Sequence, residues 1–128
     1  MFYTTLLAKD TFNYNLLTIK DNPQNAWINY IIIDDSIMTI NISANNTIND
    51  STYAGWINID RYTYILENGV KRTMVDAKGI AIAPEQTNFS RPNQTISFNL
   101  LFPRIDNSNN SFDLIENDSS EWKFAEIK

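Results

Sequence analysis

Fifteen carboxylates, ten cations and no histidine or cysteine set the chemistry open to this 128-residue chain. Without imidazole or thiol, no Ser-His-Asp or Cys-His relay can be assembled within it, and no His- or Cys-ligated zinc centre. No local motif supports a Ser-Lys dyad. Catalysis would have to rest on a pair of carboxylates flanking a scissile bond, as in glycoside hydrolysis. The candidates are Asp34, Asp35, Asp60, Asp113 and Glu116. Asp34-Asp35-Ser36 is also an ordinary turn sequence, because an Asp side chain hydrogen-bonds backbone two residues on. The turn is the stronger reading. The expectation is a chain that is not an enzyme, with no catalytic, cofactor-binding or metal-ligating residues.

Two loops are candidate calcium sites. Asp106-Asn107-Ser108-Asn109-Asn110-Ser111-Phe112-Asp113 spaces oxygen ligands at alternate positions, but it lacks the central glycine of a calcium loop. Glu116 also falls short of the usual bidentate position. Asn45 to Asp50 reads the same way, and both are expected to be plain interstrand loops. Asn41, Asn45, Asn88, Asn93 and Asn117 each begin an Asn-X-Ser/Thr triplet. In a chain so rich in Asn, Ser and Thr these arise by chance, and no function is attached to them.

The aromatic residues offer more. Trp56 is preceded by Tyr53 and followed by Tyr62 and Tyr64. If Ile57 and Ile59 face a core, Trp56 and Asn58 face outward on the same strand. Tyr53, Trp56, Asn58, Tyr62 and Tyr64 therefore form a candidate binding surface, suited to stacking on sugar rings or to a protein hot spot. The alternative is that Trp56 fills a corner of the fold. Trp27 and Trp122 are assigned to the core or its edge.

These side chains must be positioned by strands. Thr95 to Lys128 alternates apolar and polar residues, breaks at Pro103 and an Asn/Ser loop, and alternates again, as antiparallel strands with one buried face do. Upstream, strands are expected over Phe2 to Ala8, Phe12 to Ile19, Trp27 to Ile33 (buried on both faces) and Met38 to Ser43. Others are expected over Gly55 to Ile59, Tyr62 to Leu66, Val70 to Val75 and Lys78 to Ala83. Lys9-Asp10 should turn the first pair, and Asn68-Gly69 is the strongest hairpin signal. Ala44 to Thr52 and Glu85 to Asn93 read as loops. No stretch holds a period of 3.6, so helix is confined to a turn near Pro84 to Thr87 or Asp118 to Glu121. The expected fold is a single all-β domain over 1–128, an antiparallel, Ig-like β-sandwich of eight to ten strands. Its expected core is Leu16, Ile31, Ile33, Met38, Ile40, Ile42, Ile57, Ile59, Ile80, Ile82, Ile96, Phe98, Leu100, Phe102, Leu114, Trp122 and Phe124.

Composition bounds the partners. A net charge of −5 and one short cationic spot, Lys71-Arg72, leave no basic stripe to displace phosphate counterions, so nucleic acid is not an expected partner. An anionic membrane surface is disfavoured likewise. The longest apolar run, Tyr30 to Ile33, is too short to span a bilayer, so membrane insertion is not expected. The N-terminus lacks the pattern of a secretory leader, and a native start is preferred over a trimmed one. The excess of Asn and Ile reads as the product of an AT-rich genome.

Phe98-x-Leu100-x-Phe102-Pro103, then Phe112-Asp113-Leu114-Ile115-Glu116, then Trp122-x-Phe124-x-x-Ile127 resembles the closing strands of Ig-like β-sandwich modules of Bacteroidetes proteins. Gly55-Trp56-Ile57 and Lys78-Gly79-Ile80 fall where such modules begin strands. The likeness covers the last third well, the middle loosely and the first thirty residues not at all. Its motifs are packing motifs, so it implies a fold and no active site. With the AT-rich style it is also similar to virion proteins of crAss-like phages of these bacteria. The implied function is a non-enzymatic structural protein docking on a larger assembly, as an auxiliary or decoration subunit of a virion. The alternative is a recognition module of a bacterial envelope or extracellular protein, binding glycan or protein.

Overall fold

The structure, a computed structural model, describes residues 10–13, 19, 23–46, 55–105, 111–117 and 122–127. It is all-β, with no helix among those residues and so none able to cross a membrane. The described residues form eleven strands: β1 (Asp10–Asn13), β2 (Ala26–Ile33), β3 (Ile37–Asn45), β4 (Trp56–Ile57), β5 (Tyr64–Glu67), β6 (Val70–Thr73), β7 (Asp76–Lys78), β8 (Thr87–Asn88), β9 (Thr95–Pro103), β10 (Phe112–Ile115) and β11 (Lys123–Ile127). They form a five-stranded sheet β1-β2-β3-β9-β7, a four-stranded sheet β11-β10-β5-β6 and a two-stranded sheet β4-β8. Every pairing within these sheets is antiparallel.

The β3–β9 pair shows how the residue pattern sets register. Met38, Ile40 and Ile42 lie opposite Phe102, Leu100 and Phe98, and all six are buried. The intervening positions pair Asn41 with Asn99, Ser43 with Ser97 and Asn45 with Thr95. A slip of one residue would turn the whole apolar row outward, so register is firmly specified. In the four-stranded sheet Leu114 sits between Ile65 on one side and Phe124 on the other, and all three are fully buried. These residues belong to one apolar cluster fed by both larger sheets.

On its outward face the five-stranded sheet carries an amide and hydroxyl network. Asn29 Nδ2 donates to Asn41 Oδ1 at 2.8 Å and to Ser43 Oγ at 2.7 Å. Asn41 Nδ2 donates to Asn99 Oδ1 at 2.7 Å, and the Ser43 and Ser97 hydroxyls are 2.8 Å apart. A bulge between Ile28 and Tyr30 brings Asn29 into this row.

Several expectations need correction. Asp10 lies within β1, not in a turn, because β1 pairs with β2 from Asp10 opposite Ile33 onward. Of the strand expected over Phe12 to Ile19, Phe12 and Asn13 lie in β1, and residues 14–18, Leu16 among them, lie outside the described residues, as do Phe2 to Ala8 and 118–121. Trp27 to Ile33 is buried on one face only, since the other face carries Asn29 and Tyr30. β3 runs on through Ala44 and Asn45, which keep their β9 partners. Val70 to Val75 does not continue as one strand. Met74 N–H donates to the Thr63 carbonyl and Val75 N–H to the Leu101 carbonyl, so the chain changes sheet between these residues.

The Lys78 to Ala83 strand is not formed. After β7 the chain bends at Gly79, and Ile82 makes a single parallel bridge to Ile59. Gly55 to Ile59 shrinks to β4, whose partner β8 falls within the polar stretch read as a loop. Pro84 to Thr87 forms no helix. Ile57, Ile82, Ile96 and Trp122 pack against the core without being fully buried. Ala26, Ile28, Ala44, Ile65, Met74, Ile105, Phe112 and Ile127 join it beyond the residues expected.

Two glycines separate backbone need from packing need. Gly69 has φ +77° in the β5–β6 hairpin beside Asn68 at φ 51°, the paired positive angles of a two-residue turn. A Cβ there meets nothing within 4 Å. Gly79 has φ +87°, and a Cβ would lie 3.2 Å from the Ser97 carbonyl oxygen and 3.3 Å from Phe98 Cα on β9. Both alanine variants carry the backbone cost, but only Gly79→Ala adds a clash with central-strand backbone. Chemical denaturation should show Gly79→Ala losing about 1–2 kcal/mol and Gly69→Ala losing less. Equal losses would mean that the approach to β9 costs nothing.

Candidate functional site

The five carboxylate candidates divide by what they hold. Asp34 Oδ1 accepts from the backbone N–H of Ser36 at 3.2 Å and of Ile37 at 3.0 Å, closing the β2–β3 turn. Asp35 is exposed beside it. Asp60 Oδ1 accepts from Tyr62 N–H at 2.7 Å, and its carbonyl accepts from Thr63 Oγ1 at 2.6 Å. Asp113 sits on β10 opposite Leu66, off the buried row of Phe112 and Leu114. Asp60 N–H donates to Glu116 Oε2 at 3.1 Å, so these two segments meet. The Asp60 side chain holds its own turn, and Glu116 lines a cleft.

The aromatic candidates do not share one environment. Trp56, 46% exposed, stands on β4 opposite Asn88. Asn58, two residues on, is half-buried, and its Nδ2 donates to the Glu85 carbonyl at 3.0 Å. Tyr62 is 71% exposed in the turn that leads to β5. Tyr64 needs correction as a surface residue: it is only 7% exposed, with Lys71 Nζ 4.1 Å above its ring centre. The β5–β6 hairpin places the lysine stem and ammonium over the ring, a cation–π arrangement that period-two alternation does not reveal. Tyr53 lies outside the described residues. The Asp106 to Asn110 and Thr47 to Asp50 parts of the two acidic loops do too, and no group of three metal-ligating side chains occurs among the described residues.

Met74 N–H donates to the Thr63 carbonyl, so Tyr62 and Val75 are the chain neighbours of a bonded pair just beyond the β5–β6 register. Val75 is 56% exposed, so both are large apolar side chains open to solvent where the chain leaves the four-stranded sheet.

A cleft of about 90 Å³ lies elsewhere, lined by Asn25, Ile57, Asn58, Ile59, Ile80, Phe98, Glu116 and Trp122. Asn25 precedes β2 and Phe98 is on β9, whereas Glu116 and Trp122 flank the β10–β11 hairpin. Glu116 N–H donates to the Trp122 carbonyl at 3.3 Å, which extends that ladder by one pair and sets the two residues opposite each other. The Trp122 ring is held edge-on to Phe124, centroids 5.1 Å apart. Of the sequence candidates, the cleft unites Asn58 with Glu116. Asn25 and Trp122 were not singled out for binding. The hairpin register would have paired Trp122 with Glu116, but nothing local signals that Asn25 and Asn58 come to the same place.

No family of proteins, no curated protein and no solved structure matches this chain.

Proposed function

We propose that this chain is a non-enzymatic interaction protein that docks on a larger protein assembly, as an auxiliary or decoration subunit of a phage virion. The two larger sheets are read as the layers of an Ig-like β-sandwich, and virion, or otherwise bacterial envelope, is the location that goes with this role. One observation carries the docking reading: Tyr62 and Val75, 71% and 56% exposed, each adjoin the Met74–Thr63 bond where the chain crosses between sheets, and neither belongs to the core. Large apolar side chains grouped on a surface are interaction candidates, whereas single ones need no explanation. The carboxylates support the same reading, since Asp34 and Asp60 are used to hold turns. The virion part leans on genome style and on the likeness of the last third.

A recognition module of an envelope protein is the second reading, favoured by Trp56 at 46% exposure on the short β4. It would engage glycan or protein through that indole.

Mass spectrometry of density-banded particles from the source culture tests the first reading. Recovery in fixed ratio to a capsid protein is the expected result, and recovery in envelope or soluble fractions alone would sink it. Rebinding to stripped particles should then weaken about tenfold in Tyr62→Ala, Val75→Ala, a loss typical of interface anchors. Trp56→Ala should rebind normally. The reverse pattern would move the binding surface to Trp56.

A further inference from the structure

We propose that the cleft at Glu116 and Trp122 is the socket for a cationic side chain, a lysine or arginine presented by the protein on which this chain docks. The inference rests on the docking reading and names the chemistry of the partner. Its starting point is the pairing of a carboxylate with an indole. Glu116 and Trp122 lie opposite each other at the end of one hairpin, and both line the cleft. A carboxylate supplies charge and strong acceptors to an ammonium or guanidinium group. An indole attracts the same cation through its ring face. Asn25 and Asn58 add amides at the walls, and the Nδ2 donation of Asn58 to the Glu85 carbonyl fixes the orientation of one of them.

The remaining lining suits the stem of such a side chain. Ile57, Ile59, Ile80 and Phe98 form an apolar floor. Long basic side chains bury their methylenes along such surfaces while the charged head stays among polar groups. Size selects against other occupants. The cleft, about 90 Å³, is smaller than the roughly 150 Å³ cavity that holds a benzene ring and far below the roughly 300–1,000 Å³ of pockets for larger ligands. A linear alkyl chain fits such a volume more readily than a pyranose ring does. Charge agrees, since the chain carries −5 and a partner with basic side chains is the complementary one.

The test is a titration of the full isotope-labelled chain with n-butylammonium and, separately, 1-butanol, followed by NMR at the Trp122 indole N–H and the Asn25 and Asn58 side-chain amides. The expected result is a saturable shift of these signals with n-butylammonium and none with 1-butanol at equal concentration. Glu116→Gln should weaken n-butylammonium binding at least about tenfold. The amide oxygen of Gln can still accept from Asp60 N–H, so the variant keeps that contact with the Asp60 turn. Raising ionic strength should weaken binding to the unmodified chain, which tests the charge term without any substitution. Equal shifts with 1-butanol, or affinity indifferent to both salt and Glu116→Gln, would overturn the proposal. Because the titration uses no particles, its failure counts against the socket alone, and failure of particle recovery counts against docking alone.

Discussion

Phe102→Ala is expected to cost about 3–5 kcal/mol, the usual range for truncating a buried aromatic ring. Phe102 is fully buried on β9, directly opposite Met38 on β3, in the cluster that both larger sheets feed. Two terms add here: lost transfer free energy of the ring, and a cavity that central strands cannot close by moving. Domains of this kind have about 5–15 kcal/mol in total, so the variant stands near the unfolding threshold. Urea denaturation monitored by tryptophan fluorescence reads the loss as a lower midpoint at unchanged slope. A cost under about 1 kcal/mol would show that β9 is not central to the core.

The second large effect lies on the opposite face of the same sheet. Asn29→Ala should cost about 2 kcal/mol, although its side chain is on the outward surface. Its single Nδ2 holds two acceptors, Asn41 Oδ1 and Ser43 Oγ. Ser43 keeps the Ser97 hydroxyl as a partner, so the acceptor left short is Asn41 Oδ1, which is half-buried and not freely reached by water. A buried polar atom left without its partner costs about 1–3 kcal/mol, more than the net worth of the bond. The loss should shrink when Asn41 and Ser43 are also changed to Ala, because no acceptor is then stranded. Additive losses would mean that the network contributes only independent bonds. The network also gives Asn29 and Asn41, poor strand formers by composition, a reason to sit within strands.

Legibility of the fold tracked how local each decision was. Met38 to Ile42, Ile96 to Phe102 and Phe112 to Ile115 were readable because alternation is written residue by residue and one buried face enforces it. Asn68-Gly69 was readable because turn angles belong to the two residues themselves. The misread stretches are those where a distant strand decides. Val75 leaves its hairpin to donate to Leu101, and Lys78 stops at a bend where β9 backbone approaches Gly79. Thr87 and Asn88 become a strand only because Trp56 and Ile57 lie alongside.

The candidate site divides in the same way. Trp56 and Tyr62 could be marked as outward-facing from alternation and turn placement alone, and the absence of His and Cys bounded the chemistry before any fold was known. Tyr64 could not be judged so, because it is buried in the packed structure with Lys71 of the neighbouring strand across its ring. The cleft is further still from sequence, since Asn25, Asn58, Phe98 and Glu116 reach it from four separate segments. Composition and period by themselves determined an all-β chain, its central strands and a short list of available chemistries, because those follow from covalent geometry and side-chain type. Which strand changes sheet, which tyrosine is covered and which carboxylate faces a cleft were decided by tertiary structure alone. Each depends on contacts between residues far apart in the chain, whose free energy exists only once the sheets are packed.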